Sequence, residues 1–421
     1  MSQHRLPEAR KHPRWMRILG PGLITGAADD DPSGIATYSQ AGAAFGYAQL
    51  WTISLCLPLM IAVQEAVARI GSVTGKGLAK VTAENFSKRV LYGVVGLIVF
   101  ANVINIGADI AAIAAAMQLL IDIPRYLIAT IFTLVIVSLM IFASYHVYAR
   151  ILKIFALALI SYVITALIVA EPWREIVKAT FIPQFQWTFD YWYVIVGILG
   201  TTISPYMFFW QAAEEVEEIE FADRDHKQHR SISDIRWDTS AGMVISQLGS
   251  WFMMLTTATV LHSNGITNVG SAADAAKALE PFAGSFAKEV FALGVVGMGL
   301  LGIPVLAGSA SYAVSEVFGW TEGLDRKANE AKGFYGVIVG ATVIGFALTL
   351  MRFNPIQALI FAAVINGIVA VPLVFLIGRI SADHKIMGKF AGGQLSRTVL
   401  LLTFVIMGIC ALVMIFSSFL N

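Results

Sequence analysis

Apolar runs of about twenty residues, each long enough to cross a ~30 Å hydrocarbon core, recur along the whole chain. Glycine, proline and charge clusters divide them into eleven candidate spans, near residues 18–44, 48–68, 91–120, 126–148, 152–170, 190–212, 238–261, 284–318, 333–351, 355–378 and 398–419. In lipid a spanning segment must satisfy its own backbone, so runs of this length are helices. Only 14% of the 421 residues are charged, against roughly 25% in an average soluble domain. The expected fold is therefore an all-α polytopic membrane protein, with residues 1–421 forming one transmembrane domain. A formal charge of +1 gives none of the basic footprint of a nucleic-acid partner. Cys56 and Cys410 lie inside apolar runs and are expected to pack rather than to pair.

Arg5, Arg10, Lys11, Arg14 and Arg17 precede the first span. A cleavable signal would need a shorter apolar segment free of acids, so residues 1–17 are expected to be a cytoplasmic tail on a retained first helix. With that tail inside, alternate loops carry Lys76, Lys80, Lys88 and Arg89, then Arg150 and Lys153, then Arg224 to Arg236, Arg326 to Lys332 and Arg379 to Arg397, with Arg69 counted beside the first group. Arg125, Arg174, Lys178, Lys277, Lys288 and Arg352 fall on the other side. The positive-inside rule then predicts an inner (plasma) membrane protein with its N-terminus cytoplasmic and its C-terminus outside.

Two spans are interrupted. Asp29-Asp30-Asp31-Pro32-Ser33-Gly34 breaks the first, and Ser204-Pro205, following Gly197 and Gly200, breaks the sixth, because proline removes a backbone donor and clashes with the preceding turn. Each half of the chain (18–170 and 190–378) thus opens with a broken helix, and 398–419 is an extra span. Five spans per half makes the halves inverted, a LeuT-type arrangement in which secondary transporters place substrate at helix breaks near the midplane.

A carboxylate near a bilayer centre costs at least ~2.5 kcal/mol on insertion scales, and three stand together here, between Leu23-Ile24 and Ile35-Ala36. Either they bind a cation or they end the first helix at water; flanking apolar residues favour the cation. Three successive side chains spread around a helix axis, so one of Asp29 and Asp30 is expected to join Asp31 on the cavity side. Asp109, in the third span, is either functional or a helix-packing residue. The run Glu214, Glu215, Glu217, Glu218, Glu220 is either a solvated acidic loop or an electrostatic funnel for cations. No HExxH, GxSxG or phosphate-loop motif suggests an enzyme, and no cofactor is expected. The sequence fixes no oligomeric state and is compatible with a monomer.

The stretch GPGLITGAADDDPSGIATYSQAGAAFGY resembles the first-helix signature of the Nramp (SLC11-type) divalent-metal transporters, an Asp-Pro-Gly-Asn break followed by Ala-Thr and Gln-Ala-Gly. ARIGSVTGKGLAKVTAENF is similar to the loop after the family's second span, and EPWREIVKATFIPQF to the segment before its sixth. GILGTTISPYMFFWQAA resembles its sixth-helix Gly-Ile-Leu-Gly-Ala-Thr-Val-Met-Pro-His. By that resemblance Asp31 is the anionic metal ligand, backbone carbonyls near Gly34 and Thr201 contribute, and Ser204 and Tyr206 contact bound water. Tyr206 could equally be an aromatic wedge. Asn366 in the tenth span lines the cavity or bonds between helices.

The departures carry the selectivity argument. Gly34 stands where the family has its Asn ligand, Ser204 where it has Met and Tyr206 where it has His. Without the thioether the remaining ligands are oxygens, which suit Mg²⁺, Ca²⁺ and Mn²⁺, and smaller side chains are expected to leave room for a largely hydrated Mg²⁺. This combination resembles the family's magnesium-transporting branch, with Mg²⁺ or Mn²⁺ as the transported substrate. The family's proton-relay positions read Tyr206, Gln211 and Ile106, with Asp109 alone retained. All seven histidines, at 4, 12, 146, 226, 229, 262 and 384, lie in loops or at span ends, so no imidazole is placed to titrate within the membrane and uncoupled transport is expected. The alternatives are a proton-coupled Mn²⁺/Fe²⁺ carrier and an amino-acid carrier of the same architecture, whose substrate carboxylate three aspartates would repel.

Overall fold

The computed structural model describes residues 22, 25, 26, 29–142, 160–169, 172–224, 230–324, 326–351 and 353–419. The tail at 1–17, residues 152–159 of the fifth span and the histidines at 4, 12, 146, 226 and 229 lie outside these. Among the described residues there is no strand. The principal helices are α1 (Pro32–Phe45), α2 (Leu50–Thr74), α3 (Lys88–Met117), α4 (Arg125–Phe142), α5 (Ile160–Ile168), α6 (Phe189–Thr202), α7 (Pro205–Arg224), α8 (Ile232–Val260), α9 (Ala287–Phe318), α10 (Lys332–Thr349), α11 (Pro355–Ala382) and α12 (Gln394–Ser417). Short helices at Leu78–Asn85 and Trp173–Phe181 join spans.

Both breaks are present. Asp29 is helical, Asp30 bends, and Asp31 is extended (φ −64°, ψ 173°) as the N-cap of α1, with Pro32 in the first helical turn; proline suits that turn because no partner awaits its missing N–H. In the second half, α6 stops at Thr202 and α7 restarts at Pro205. α1 packs on α8, and α7 packs on α2, the two contacts that a repeat relating spans one and two to spans six and seven would exchange. α3 packs on α9, α10 and α11, and α6 lies on α11. That last approach is backbone to backbone: a Cβ on Gly200 would fall 2.0 Å from the Ala363 carbonyl oxygen, and one on Gly367 2.5 Å from that of Val196. Exposed Ile131, Leu134, Leu401 and Leu412 leave apolar faces of α4 and α12 for lipid.

Three boundaries differ from expectation because charge does not end a helix. α7 runs through Glu214–Glu220 to Arg224, so the acidic run is helical rather than a loop, and Glu214 and Glu215 are buried. α8 begins at Ile232, six residues early, behind a capping box of Ser231 and Asp234. Arg69, counted above with the loop charges, lies inside α2, 1% exposed. Its guanidinium donates to Glu65 (2.9 and 3.1 Å), the Phe390 carbonyl (2.7 Å) and Ser381 (3.0 Å). A fork with all of these acceptors filled is a structural clamp.

Candidate cation site at the helix breaks

Asp31 is the meeting point of the two breaks. Its Oδ1 accepts the Gly34 N–H at 3.0 Å and the Ser33 hydroxyl at 2.5 Å, which is the N-cap arrangement of α1. Its Oδ2 accepts the Tyr206 hydroxyl from α7 at 3.0 Å and, at 3.5 Å, the Asn105 amide from α3. Asp31, Thr201, Ser204 and Tyr206 are each at most 1% exposed, so the arrangement is closed to solvent. The groups that hydrogen-bond Asp31 are hydroxyls and amides, with no sulfur among them. Tyr206 thereby takes the polar role and not that of a wedge alone.

The room expected from the small residues is not there. A Cβ on Gly34 would lie 3.2 Å from the Thr201 hydroxyl and 3.3 Å from the Tyr38 ring, and Tyr38 is held by Thr202 at 2.9 Å. Ser204 turns its hydroxyl back on the carbonyls of Gly200 (3.0 Å) and Thr201 (2.6 Å), tying off the end of α6. A carbonyl oxygen has a second lone pair, so Thr201 keeps the capacity to meet a ligand. The enlargement is thus corrected: tyrosine and threonine fill the space the missing asparagine leaves.

The other two aspartates go elsewhere, correcting the expectation that one would join Asp31. Asp29 accepts from Ser246 at 3.0 Å and Asp30 from Ser250 at 3.1 Å, both against α8. Gln211 sits further along α7, donating to Glu215 at 3.0 Å and accepting from the Thr25 hydroxyl. Glu215 lies 3.9 Å from Arg230, which pairs with Asp238 at 2.9 Å. Asn366 is fully buried, and neither amide atom has a hydrogen-bond partner among the described residues.

Asp109 is brought to the site. It is 0% exposed, and among the described residues neither carboxylate oxygen has a partner. A methyl group on Gly302 of α9 would lie 3.2 Å from the Asp31 Cβ and 3.8 Å from Asp109 Oδ2, so Asp31 and Asp109 both approach α9 at this glycine. Asn105, which the sequence reading passed over, stands one helical turn before Asp109 on the same face of α3. Its signal was available: Asn102, Asn105 and Asp109 form a polar stripe within an apolar run.

At the far end of α7 and α9, Glu217, Glu220, Glu316 and Glu322 line a cleft with Tyr312 and Arg326. Glu316 accepts the Lys80 backbone N–H at 2.8 Å. Burial, and then the neighbouring Glu316 charge, push Glu322 up to about 8.

A family model described as "Natural resistance-associated macrophage protein-like" matches residues 22–417. The curated protein "Divalent metal cation transporter MntH" of Ralstonia nicotianae is 24% identical over 95% of this chain and 91% of its own length. The protein of the same name from Chromohalobacter salexigens is 28% identical over 72% and 69%. Among solved structures, the Eremococcus coleocola manganese transporter in complex with an aromatic bis-isothiourea substituted compound superposes with a TM-score of 0.75 at 17% identity, covering 98% of this chain and 89% of the other. Mhp1, a nucleobase-cation-symport-1 family transporter, superposes at 0.56 with 12% identity over 96% and 91%.

Proposed function

We propose, from the premise that this chain belongs to the Nramp family, that it carries divalent metal ions across a membrane by alternating access, with Mg²⁺ and Mn²⁺ as substrates and without coupled protons. The observation that carries this reading is Asp31: a buried carboxylate at the junction of two helix breaks, surrounded by oxygen and amide groups. Carboxylate, carbonyl and hydroxyl oxygens suit Mg²⁺ and Mn²⁺ alike. Selectivity then rests on donor chemistry and not on cavity size, and waters that Mg²⁺ keeps are accommodated when the breaks open. The relatives bear the name of divalent metal cation transporters, which supports the substrate class.

Uncoupled movement is supported by the described histidines. His262 follows α8 and bonds the Ala43 carbonyl at 2.8 Å, and His384 lies beyond α11. The acidic cleft of Glu217, Glu220, Glu316 and Glu322 would raise the local cation concentration at one mouth, and in this reading, which the basic loops support, that mouth opens to the cytoplasmic side of the plasma membrane. In this reading residues 1–421 act as a single transmembrane unit. Purified protein in liposomes, compared side by side with Mg²⁺, Mn²⁺ and Ca²⁺, tests the proposal. Saturable Mg²⁺ and Mn²⁺ uptake above that of empty vesicles is expected. Mn²⁺ uptake untouched by a hundredfold excess of Mg²⁺ would overturn the magnesium assignment.

A further inference from the structure

Resting on that reading, we infer that α3 completes the cation site, with Asp109 supplying a second carboxylate and Asn105 the amide oxygen that Gly34 cannot. The two residues stand four apart on α3 and so share a face. Both are 0% exposed. Asn105 is oriented by its Nδ2, 3.5 Å from Asp31 Oδ2, and its Oδ1 has no partner. Among the described residues neither Asp109 oxygen has a partner, and Asp109 Oδ2 and the Asp31 Cβ both face the Cβ position of Gly302.

A buried polar atom with no hydrogen bond is rare and calls for a reason, and a buried charge without a partner is costlier still. Here three such oxygens on one helix face lie beside the carboxylate already assigned to the ion. An oxygen-seeking cation bordered by Asp31, Asp109 and Asn105 would satisfy all three at once, and two carboxylates balance the charge of one divalent ion. Asp29 and Asp30 instead face α8, whose Ser246 and Ser250 hydroxyls donate to them, which leaves Asp29 a single unpartnered oxygen, Oδ1, against two on Asp109 among the described residues. Gly302 belongs to the same arrangement: a Cβ there would stand 3.2 Å from the Asp31 Cβ and 3.8 Å from Asp109 Oδ2.

The test is Mn²⁺ binding to the full-length protein in detergent, measured by calorimetry and by the Mn²⁺-induced rise in Tm. The Tm of each metal-free variant reports folding separately. Asp109→Asn keeps the shape of the side chain and should weaken binding about a hundredfold, Asn105→Ala about tenfold, and Asp109→Glu should bind more tightly than Asp109→Asn. Wild-type binding lost in Asp31→Asn but retained within about threefold in both α3 variants would overturn the inference and leave the transport reading standing. A wild-type protein that binds neither Mn²⁺ nor Mg²⁺ would overturn both. Should Asp109→Asn fail to fold, the Asn105→Ala value alone decides.

Discussion

Replacing Asp31 by asparagine separates its two jobs. Asparagine is as good an N-cap as aspartate, and its one oxygen can still accept the Gly34 N–H, so α1 should start where it does now. What is lost is the charge. At about 4 Å and an effective dielectric near 20, two unit charges attract by about 4 kcal/mol, so a divalent ion gains roughly 8 kcal/mol from one carboxylate. If about half of that is returned as lost hydration, about 4 kcal/mol is at stake, close to a thousandfold in Kd. Asp31→Ala would confuse the question, because it removes the cap at a cost of about 1 kcal/mol and leaves the buried Tyr206 hydroxyl without its partner at about 1–3 kcal/mol more. The assay is Mn²⁺ and Mg²⁺ uptake into proteoliposomes at matched protein density, with thermal unfolding of the metal-free variant alongside. The expected result is uptake at the level of empty vesicles and an unchanged or higher Tm. Uptake within about tenfold of wild type by a folded Asp31→Asn protein would refute the assignment.

Three further outcomes are expected. Ser204→Met should not create strong Mn²⁺ preference, because Gly34 still lacks an amide; an Mn²⁺-to-Mg²⁺ uptake ratio that rises more than about tenfold would count against the donor argument. Uptake should bring no metal-dependent acidification of a pH dye in the vesicle lumen, since two charges crossing ~100 mV already gain roughly 4.6 kcal/mol; acidification that tracks the metal would establish coupling. Glu322 is pushed up to about 8 by burial and by Glu316, so its folded form favours the proton. Its contribution is complete below the ordinary glutamate value and is lost as pH rises through about 8. Tm should therefore fall over that window and fall less in Glu322→Gln; equal slopes in the two proteins would contradict it.

The helices and both breaks were legible because lipid imposes length, and because Asp31-Pro32 and Ser204-Pro205 interrupt otherwise unbroken runs. Boundaries marked by charge were less legible. Glu214 to Glu220, read as a solvated loop or a cation funnel, and Arg69, counted with the loop charges, lie inside helices that continue past the apolar stretch, with ion pairs and hydrogen bonds absorbing the charge. At the site, Asp31 and Tyr206 were named through the resemblance to the family's first- and sixth-helix signatures, and the structure brings the two within hydrogen-bond distance. The fates of Asp29 and Asp30 depended on which serines α8 presents, which no local pattern reveals. Asn105 escaped notice because an amide barely disturbs an apolar run. The filling of the Gly34 space by Tyr38 depends on Thr202, more than 160 residues away.

In the proposed reading the transported ion binds where the two helix breaks meet. Anomalous scattering from crystals grown with Mn²⁺ locates it directly. The account predicts one strong peak within ligand distance of the Asp31 carboxylate, on the side facing Asn105 and Asp109, that weakens when Mg²⁺ is added in excess. A peak between Asp29, Asp30 and the serines of α8 instead, with none at Asp31, would contradict it.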